Sequence, residues 1–210
     1  MIITDFGDVH AYLKQFEQRE FPRPEVCPHC QVVGRMIGHG FYPRQAWDPA
    51  KEYVLQIKRW SCAACHLTVA LLPSFVLRFR RYLLSVIQAV VVTHYESQVS
   101  WSRVAQRCAP DGVPSRRTIK RWCRSFGQHA ARWWAAVQQT LAQQDAASPL
   151  LDPLGAAVGP REAPQALLTA ALHLLAWAQT RWSALAHYGP TDRLRFLWHW
   201  GSSQGLGRLI

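Results

Sequence analysis

The sequence predicts an α+β protein in which a small β unit precedes two helical regions. Residues 26–73 contain three segments of strand type, bounded by turn residues. Residues 82–144 and 165–200 instead repeat their apolar side chains every three or four positions, which is the spacing of amphipathic helices. Hydrophobic residues make up 49% of the 210-residue chain, so a sizeable core can form.

A short amphipathic helix is the first predicted element, within residues 5–20. Its apolar residues recur at helical spacing: Val9, Tyr12, Leu13 and Phe16. The Pro-rich sequence FPRPEVCP ends this helix, and the strands RMIGHGFYPR, EYVLQIKRWSC and LTVALLP follow it. In the second strand Tyr53, Leu55 and Ile57 alternate with the residues between them, a period-two pattern that predicts a half-buried strand.

Two C-x-x-C pairs flank these strands: Cys27-Pro-His-Cys30 and Cys62-Ala-Ala-Cys65. A spacing of two residues lets both thiolates of a pair face one ion, and two pairs complete a tetrahedral site. Since a β-hairpin between the pairs would bring them together, the sequence predicts a zinc ribbon with one structural Zn²⁺. The expected ligands are Cys27, Cys30, Cys62 and Cys65. A closed four-thiolate site has no open position for water, so a catalytic metal is not expected.

A redox dithiol and plain buried cysteines are the alternatives to a metal site. A redox motif is expected as one C-x-x-C near a βαβ pattern, which this sequence lacks. His29 and His66 lie within or beside the pairs and could replace a ligand, although four cysteines make them unnecessary. Cys108 and Cys123 lie in helical segments far from either pair, so we expect them to be small core residues.

The helical region from residue 82 to 144 is predicted to form three or four pieces. The first, LLSVIQAVVVTHYE, is apolar and suited to begin a three-helix unit. Ser100 is a favourable N-cap for the helix WSRVAQRCA, and the sequence APDGVP has turn chemistry. Ser115 then caps a further helix, RRTIKRWCRSF. Two capped helices joined by a turn predict a helix-turn-helix.

The charge of the chain is concentrated in its middle third. Lys and Arg number 24 against 13 Asp and Glu, a net charge of +11, which points to an anionic partner. Between residues 58 and 124 only Glu96 and Asp111 oppose the basic residues. These basic residues are Lys58, Arg59, Arg78, Arg80, Arg81, Arg103, Arg107, Arg116, Arg117, Lys120, Arg121 and Arg124.

The helix after Ser115 is predicted to bind double-stranded DNA. At 100° per residue its cations share an arc of about 140°, and its apolar residues share the opposite arc. The apolar set is Ile119, Trp122, Cys123 and Phe126. The predicted DNA-binding residues are Ser115, Arg116, Arg117, Lys120, Arg121 and Arg124. Arg can read guanine edges, and Arg, Lys and the capping Ser can contact phosphates. A surface helix with solvated charges is the alternative, but such a face usually includes acidic residues.

The C-terminal part of the chain is predicted to be a helical region after a linker. The sequence DAASPLLDPLGAAVGPREAP is rich in Pro and Gly. The C-terminal region is rich in tryptophan, with Trp133, Trp134, Trp177, Trp182, Trp198 and Trp200. We expect the apolar residues of this region to pack in a core. The alternative is that they form a dimer or partner face. If the chain forms a homodimer, we expect the contact to lie within residues 165–200.

Residues 25–126 resemble a family of transposase-like zinc-ribbon and helix-turn-helix proteins associated with insertion sequences. The likeness rests on CPHC, GHGFYPRQ, RWSCAACHLTVALLPSFVLRFRRY and RRTIKRW. It implies that the four cysteines hold zinc and that the helix from Ser115 binds the terminal DNA of a mobile element. The implied function is that of a transposon-associated accessory or regulatory factor.

Transposases of this kind use three carboxylates that hold two metal ions, and this chain departs from that pattern. After Glu96 its acidic residues are Asp111, Asp145, Asp152, Glu162 and Asp192, and none follows an apolar strand. No catalytic residue and no enzymatic activity are therefore expected. A degenerate transposase with metal-dependent strand transfer and a protein-interaction adaptor are the alternative functions.

The sequence predicts no leader peptide and no membrane span, since the longest apolar run, Ala166–Ala178, is interrupted by Thr169 and His173. A cytoplasmic protein is expected. The predicted segments are an N-terminal helix (1–24), a zinc ribbon (25–75), a helix-turn-helix DNA-binding domain (76–144), a linker (145–164) and a helical C-terminal region (165–210).

Overall fold

The computed structural model describes residues 1–147, residue 151 and residues 159–210. They form two compact units, Met1–Leu83 and Leu84–Ile210. The first unit contains a four-stranded mixed sheet and one helix, and the second contains helices. The prediction of an α+β protein is therefore confirmed.

The sheet of the first unit has the strand order β1-β4-β3-β2. Its strands are β1 (Ile2–Thr4), β2 (Met36–Trp47), β3 (Glu52–Cys62) and β4 (Thr68–Pro73). The β2–β3 and β3–β4 pairs are antiparallel, whereas β1 lies parallel to β4. The three strands that the sequence predicts are present, and β1 is an addition that the sequence analysis did not identify.

Strand β3 is half-buried, as its period-two pattern predicts. Tyr53, Leu55 and Ile57 are buried, while the residues between them are exposed or half-buried. Helix α1 (Val9–Gln18) forms where amphipathic spacing predicts a helix, and the Asp8 side chain caps it by accepting from a backbone N–H.

The second unit consists of five α-helices among its described residues. They are α2 (Leu84–Ser97), α3 (Trp101–Cys108), α4 (Arg116–Gln144), α5 (Ala163–Arg181) and α6 (Arg193–Ser203). Short 3₁₀ turns at Ser183–Leu185 and Pro190–Asp192 connect the last two. Residues 148–150 and 152–158 of the predicted linker 145–164 lie outside the described residues. Each helix that the structure describes is too short or too polar to span a membrane.

The helices after the predicted linker pack with those before it. Trp133 of α4 is fully buried, and its indole N–H donates to the carbonyl of Arg208 at 2.9 Å. Gly201 of α6 lies against the same indole, so closely that a Cβ there would come within 2.2 Å of the ring. Trp177 and Trp198 are also buried, whereas Trp182 is 50% exposed. Three of the six tryptophans named for this region, Trp133, Trp177 and Trp198, therefore contribute to the core of this unit.

Candidate metal centre and nucleic-acid interface

The first C-x-x-C pair forms a tight turn ahead of β2. The Cys27 N–H donates to the carbonyl of Val32 at 3.0 Å, and the Gln31 N–H donates to the carbonyl of Cys27 at 2.9 Å. An antiparallel bridge between Val26 and Val33 closes the base of this turn.

The second pair repeats this arrangement between β3 and β4. The Cys62 N–H donates to Leu67 at 3.0 Å, and the His66 N–H donates to the Cys62 carbonyl at 2.9 Å. Ser61 and Thr68 pair across the base, at the positions that correspond to the bridge of the first turn. The two turns therefore have the same hydrogen bonds at the same sequence offsets.

The residue after each pair adopts a left-handed backbone conformation. Gln31 has a φ of 60° and His66 a φ of 59°. Neither is glycine, so both turns carry a conformational cost that their hydrogen bonds must offset. No residue type in the sequence indicates this conformation, and the sequence analysis therefore missed it.

The two turns bring the four predicted sulfurs into one cluster. Cys27 Sγ lies 3.8 Å from Cys65 Sγ, and Cys30 Sγ lies 3.7 Å from Cys62 Sγ. All four sulfurs lie within 4.8 Å of one another, so they are positioned to hold a metal ion. The distances are far longer than the ~2.05 Å of a disulfide bond, and all four cysteines are free.

Backbone N–H groups favour the thiolate form of two of these cysteines. The N–H groups of Cys30 and His29 hydrogen-bond the Cys27 sulfur and lower its pKa to about 6, against the opposing effect of burial. The N–H groups of Cys65 and Ala64 likewise lower the pKa of Cys62. Metal ligation needs the thiolate, so these turns favour the ionised state that a metal would bind.

A small core stabilises the inner side of the cluster. Cys27 and Cys62 are fully buried together with Met36 and Val69, whereas Cys30 is exposed. The Ala63 N–H donates to the Arg35 carbonyl at 2.8 Å and so joins the second turn to the chain after the first. Among the residues that the structure describes, the group that could hold a metal ion consists of the four cysteines, without His29 or His66.

The two other cysteines lie in the helical unit. Cys123 is fully buried in α4, which confirms the prediction of a core residue. Cys108 is half-buried, and its sulfur lies 3.5 Å from the hydroxyl of Thr93.

The second candidate site is the exposed side of the first turns of α4. The hydroxyl of Ser115 accepts from the Thr118 N–H, so the predicted N-cap is present. Helix α3 ends at Cys108, and residues 109–115 connect it to α4. Ser100 caps α3 in the same way, by accepting from Arg103.

The apolar arc of α4 anchors this helix in its unit. Ile119, Trp122, Cys123 and Phe126 are each no more than 1% exposed, as the sequence predicts. Tyr95 of α2 donates its hydroxyl hydrogen to the Cys123 carbonyl at 2.8 Å, which joins the two helices. This packing determines which side of α4 faces outward.

The opposite arc carries the five predicted cations. Arg116, Arg117, Arg121 and Arg124 are exposed and Lys120 is half-buried. Within residues 1–147 and 159–210, the ion pairs found do not involve any of the five. A concentrated positive charge therefore remains available for an anionic partner.

Three carboxylates of the second unit make ion pairs. Glu96 lies 2.6 Å from Arg193, Asp145 lies 2.8 Å from Arg181, and Asp192 lies 3.4 Å from Arg195. Asp111 lies in the connection between α3 and α4. Asp152 lies outside the described residues.

Comparison with known protein families gives one match. Residues 27–122, a little under half of the chain, match a domain of unknown function, DUF6431. The matched segment begins at the first cysteine of the cluster and ends within the basic part of α4. No curated protein and no solved structure matches the chain significantly.

Proposed function

We propose that this chain is a DNA-binding protein with one structural Zn²⁺, and that α3 and α4 act as a helix-turn-helix on duplex DNA. The observation that carries the proposal is the cationic face of α4, which has five basic residues, no acidic residue and no described ion pair. The sequence resemblance to transposase-like proteins supports a role as a transposon-associated accessory or regulatory factor.

The sulfur geometry supports zinc as the ion. For a Zn–S bond of about 2.3 Å, the sulfurs of a regular tetrahedron are separated by about 3.8 Å. The Cys27–Cys65 and Cys30–Cys62 separations of 3.8 and 3.7 Å agree with that value. Four thiolates fill a tetrahedral site, so the ion would stabilise a zinc ribbon made by the two turns and the β2–β3 hairpin, without binding a substrate.

The dimensions of α4 support a contact in the major groove. An α-helix about 10–12 Å in diameter fits the ~12 Å wide groove, and the cations from Arg116 to Arg124 cover about 12 Å along the axis of α4. Arg116 and Arg117 lie at the helix N-terminus, where recognition helices contact base edges. Lys120 carries a compact charge and is suited to a phosphate.

Salt-dependent binding to duplex DNA tests the proposal. The logarithm of the affinity should fall with the logarithm of salt concentration, by about 0.9 per neutralised phosphate. Lys120→Ala should reduce that slope by roughly one unit and weaken all sequences alike. Arg116→Ala should cost about 1–3 kcal/mol and relax selectivity at one base position.

Arg132→Ala is the matched control, because Arg132 is exposed on the same helix but lies about 12 Å beyond Arg124. This variant should bind DNA like the wild type. A complex that is insensitive to salt, or equal losses from Lys120→Ala and Arg132→Ala, would contradict the proposed interface. Nicking of labelled DNA with Mg²⁺ or Mn²⁺, abolished by replacing one carboxylate, would instead favour a degenerate transposase.

A further inference from the structure

A second basic feature lies in the first unit, at the turn formed by residues 77–80. The Arg80 N–H donates to the Leu77 carbonyl at 3.1 Å, which places Arg78 and Phe79 at the two central positions. Phe79 has a φ of 62° and is 73% exposed. Glycine or asparagine usually occupies a position of this backbone conformation, and a bulky aromatic residue there is unusual.

The rest of the structure holds this turn in place. The guanidinium of Arg44, on β2, donates to the carbonyl of Leu77 and, at 2.8 Å, to that of Arg80. The Trp47 N–H donates to the Arg81 carbonyl at 2.7 Å, just after the turn. Side-chain and backbone hydrogen bonds from β2 therefore fix the turn formed by residues 77–80, and they hold Phe79 in an exposed position.

One arginine lies against the displayed ring, and another exposed arginine follows it two residues later. The guanidinium carbon of Arg78 lies 4.5 Å from the centre of the Phe79 ring, and the Arg81 side chain is exposed. The sequence contains no acidic residue between Glu52 and Glu96. An exposed aromatic ring with flanking Arg residues is the combination that binds nucleic acids by stacking on a base and neutralising phosphates.

We propose that Phe79 stacks on a nucleobase of the bound DNA, with Arg78 and Arg81 contacting the adjacent phosphates. This inference rests on the proposed DNA-binding function and adds a contact outside the helix-turn-helix. The contact is stacking of the Phe79 ring on a base. The base is either part of a duplex, where the ring inserts between neighbouring base pairs, or part of an unpaired strand.

Phe79→Gly is the decisive variant, because glycine suits the left-handed backbone while removing the ring. We expect its thermal stability to equal or exceed that of the wild type, whereas its affinity for DNA should fall about 5- to 150-fold. The salt slope should stay unchanged, because the lost group is uncharged. Phe79→Tyr retains a stacking ring and should bind like the wild type.

Fluorescence of 2-aminopurine, placed at the adenines of a mixed-sequence DNA, reports stacking directly. Wild-type protein should change the emission and Phe79→Gly should not. A change in the duplex alone identifies an opened base step, and a stronger change in the single strand identifies an unpaired base. Affinity and emission that are the same for Phe79→Gly and wild type would overturn the inference.

The two proposals fail in different ways. If Lys120→Ala weakens DNA binding and Phe79→Gly does not, only the stacking contact is wrong. If the wild-type chain binds no DNA, the proposed function fails and the stacking contact with it. Binding to anionic phospholipid vesicles that is lost in Phe79→Gly, with DNA affinity unchanged, would identify a membrane contact and overturn the stacking proposal.

Discussion

Replacing Cys62 by serine should release the metal ion and unfold the part of the first unit around the cysteine cluster. Cys62 is fully buried, and its sulfur accepts a hydrogen bond from the Ala64 N–H at 3.4 Å. The same sulfur lies 3.7 Å from Cys30 Sγ. Serine cannot supply a thiolate, so three ligands would remain of the four that a closed tetrahedral site requires.

The size of the effect follows from the small core beneath the cluster. That core contains only Met36 and Val69 beside the two buried cysteines, together with partly buried neighbours. Structural Zn²⁺ contributes about 10–16 kcal/mol at pH 7 in small zinc-binding domains, roughly 2.5–4 kcal/mol per ligand if shared equally. Complete loss of the ion would cost about as much free energy as the ~5–15 kcal/mol by which ordinary domains are stable.

Elemental analysis and segment-resolved hydrogen exchange measure the outcome together. Wild-type protein should contain one Zn²⁺ per chain, and Cys62→Ser should contain none. Amides of β2, β3 and β4 near the cluster should lose protection, while those of α2, α4 and α5 in the second unit should keep it.

Cys108→Ser is the matched control, because Cys108 is a half-buried cysteine of the second unit. It should retain the ion. Full protection around the cluster in zinc-free wild-type protein would refute the reasoning, and so would a Cys62→Ser variant that still binds one Zn²⁺. A disulfide between Cys27 and Cys65 in place of the ion would also refute it.

Two further predictions concern the second unit. Gly201→Ala should destabilise the protein by about 1–3 kcal/mol in chemical denaturation, because its Cβ would overlap the Trp133 ring. An increase in stability, as expected for Ala replacing Gly in an open helix, would show that this packing is wrong. Burial lowers the pKa of His94 in the folded protein. As the pH falls through about 6.5, His94 is therefore protonated in the unfolded state before it is protonated in the folded state, which favours unfolding. Wild-type stability should therefore decrease from pH 7.5 to pH 5 more steeply than that of His94→Gln, and equal slopes would exclude this role for His94.

Sequence patterns predicted the elements whose periodicity is local. The alternation in β3 and the two opposed arcs of α4 depend on the fixed geometry of a strand and a helix, so the buried and exposed faces could be assigned in advance. The caps Ser100 and Ser115 were equally local, because each side chain bonds a backbone N–H three residues later.

Long-range features could not be predicted in this way. Strand β1 is only three residues long and pairs with β4 about seventy residues later, so its segment carries no repeated pattern. The clamp that Arg44 forms on the turn at Phe79 depends on the position of β2 in the sheet, and no motif marks it. The packing of Gly201 against Trp133 likewise joins residues that are distant in the chain.

The sequence by itself determined which segments are helices and strands, where the two cysteine pairs lie, and which faces of α4 are apolar and cationic. Each of these features depends on residues close together along the chain. Only the tertiary structure decided that Cys30 Sγ and Cys62 Sγ lie 3.7 Å apart, since strand pairing and the two matching turns control that distance. The tertiary structure also decided that Phe79 faces solvent and that Trp133, Trp177 and Trp198 are buried in the second unit. In each case the physical reason is that burial and contact depend on which distant segments pack together.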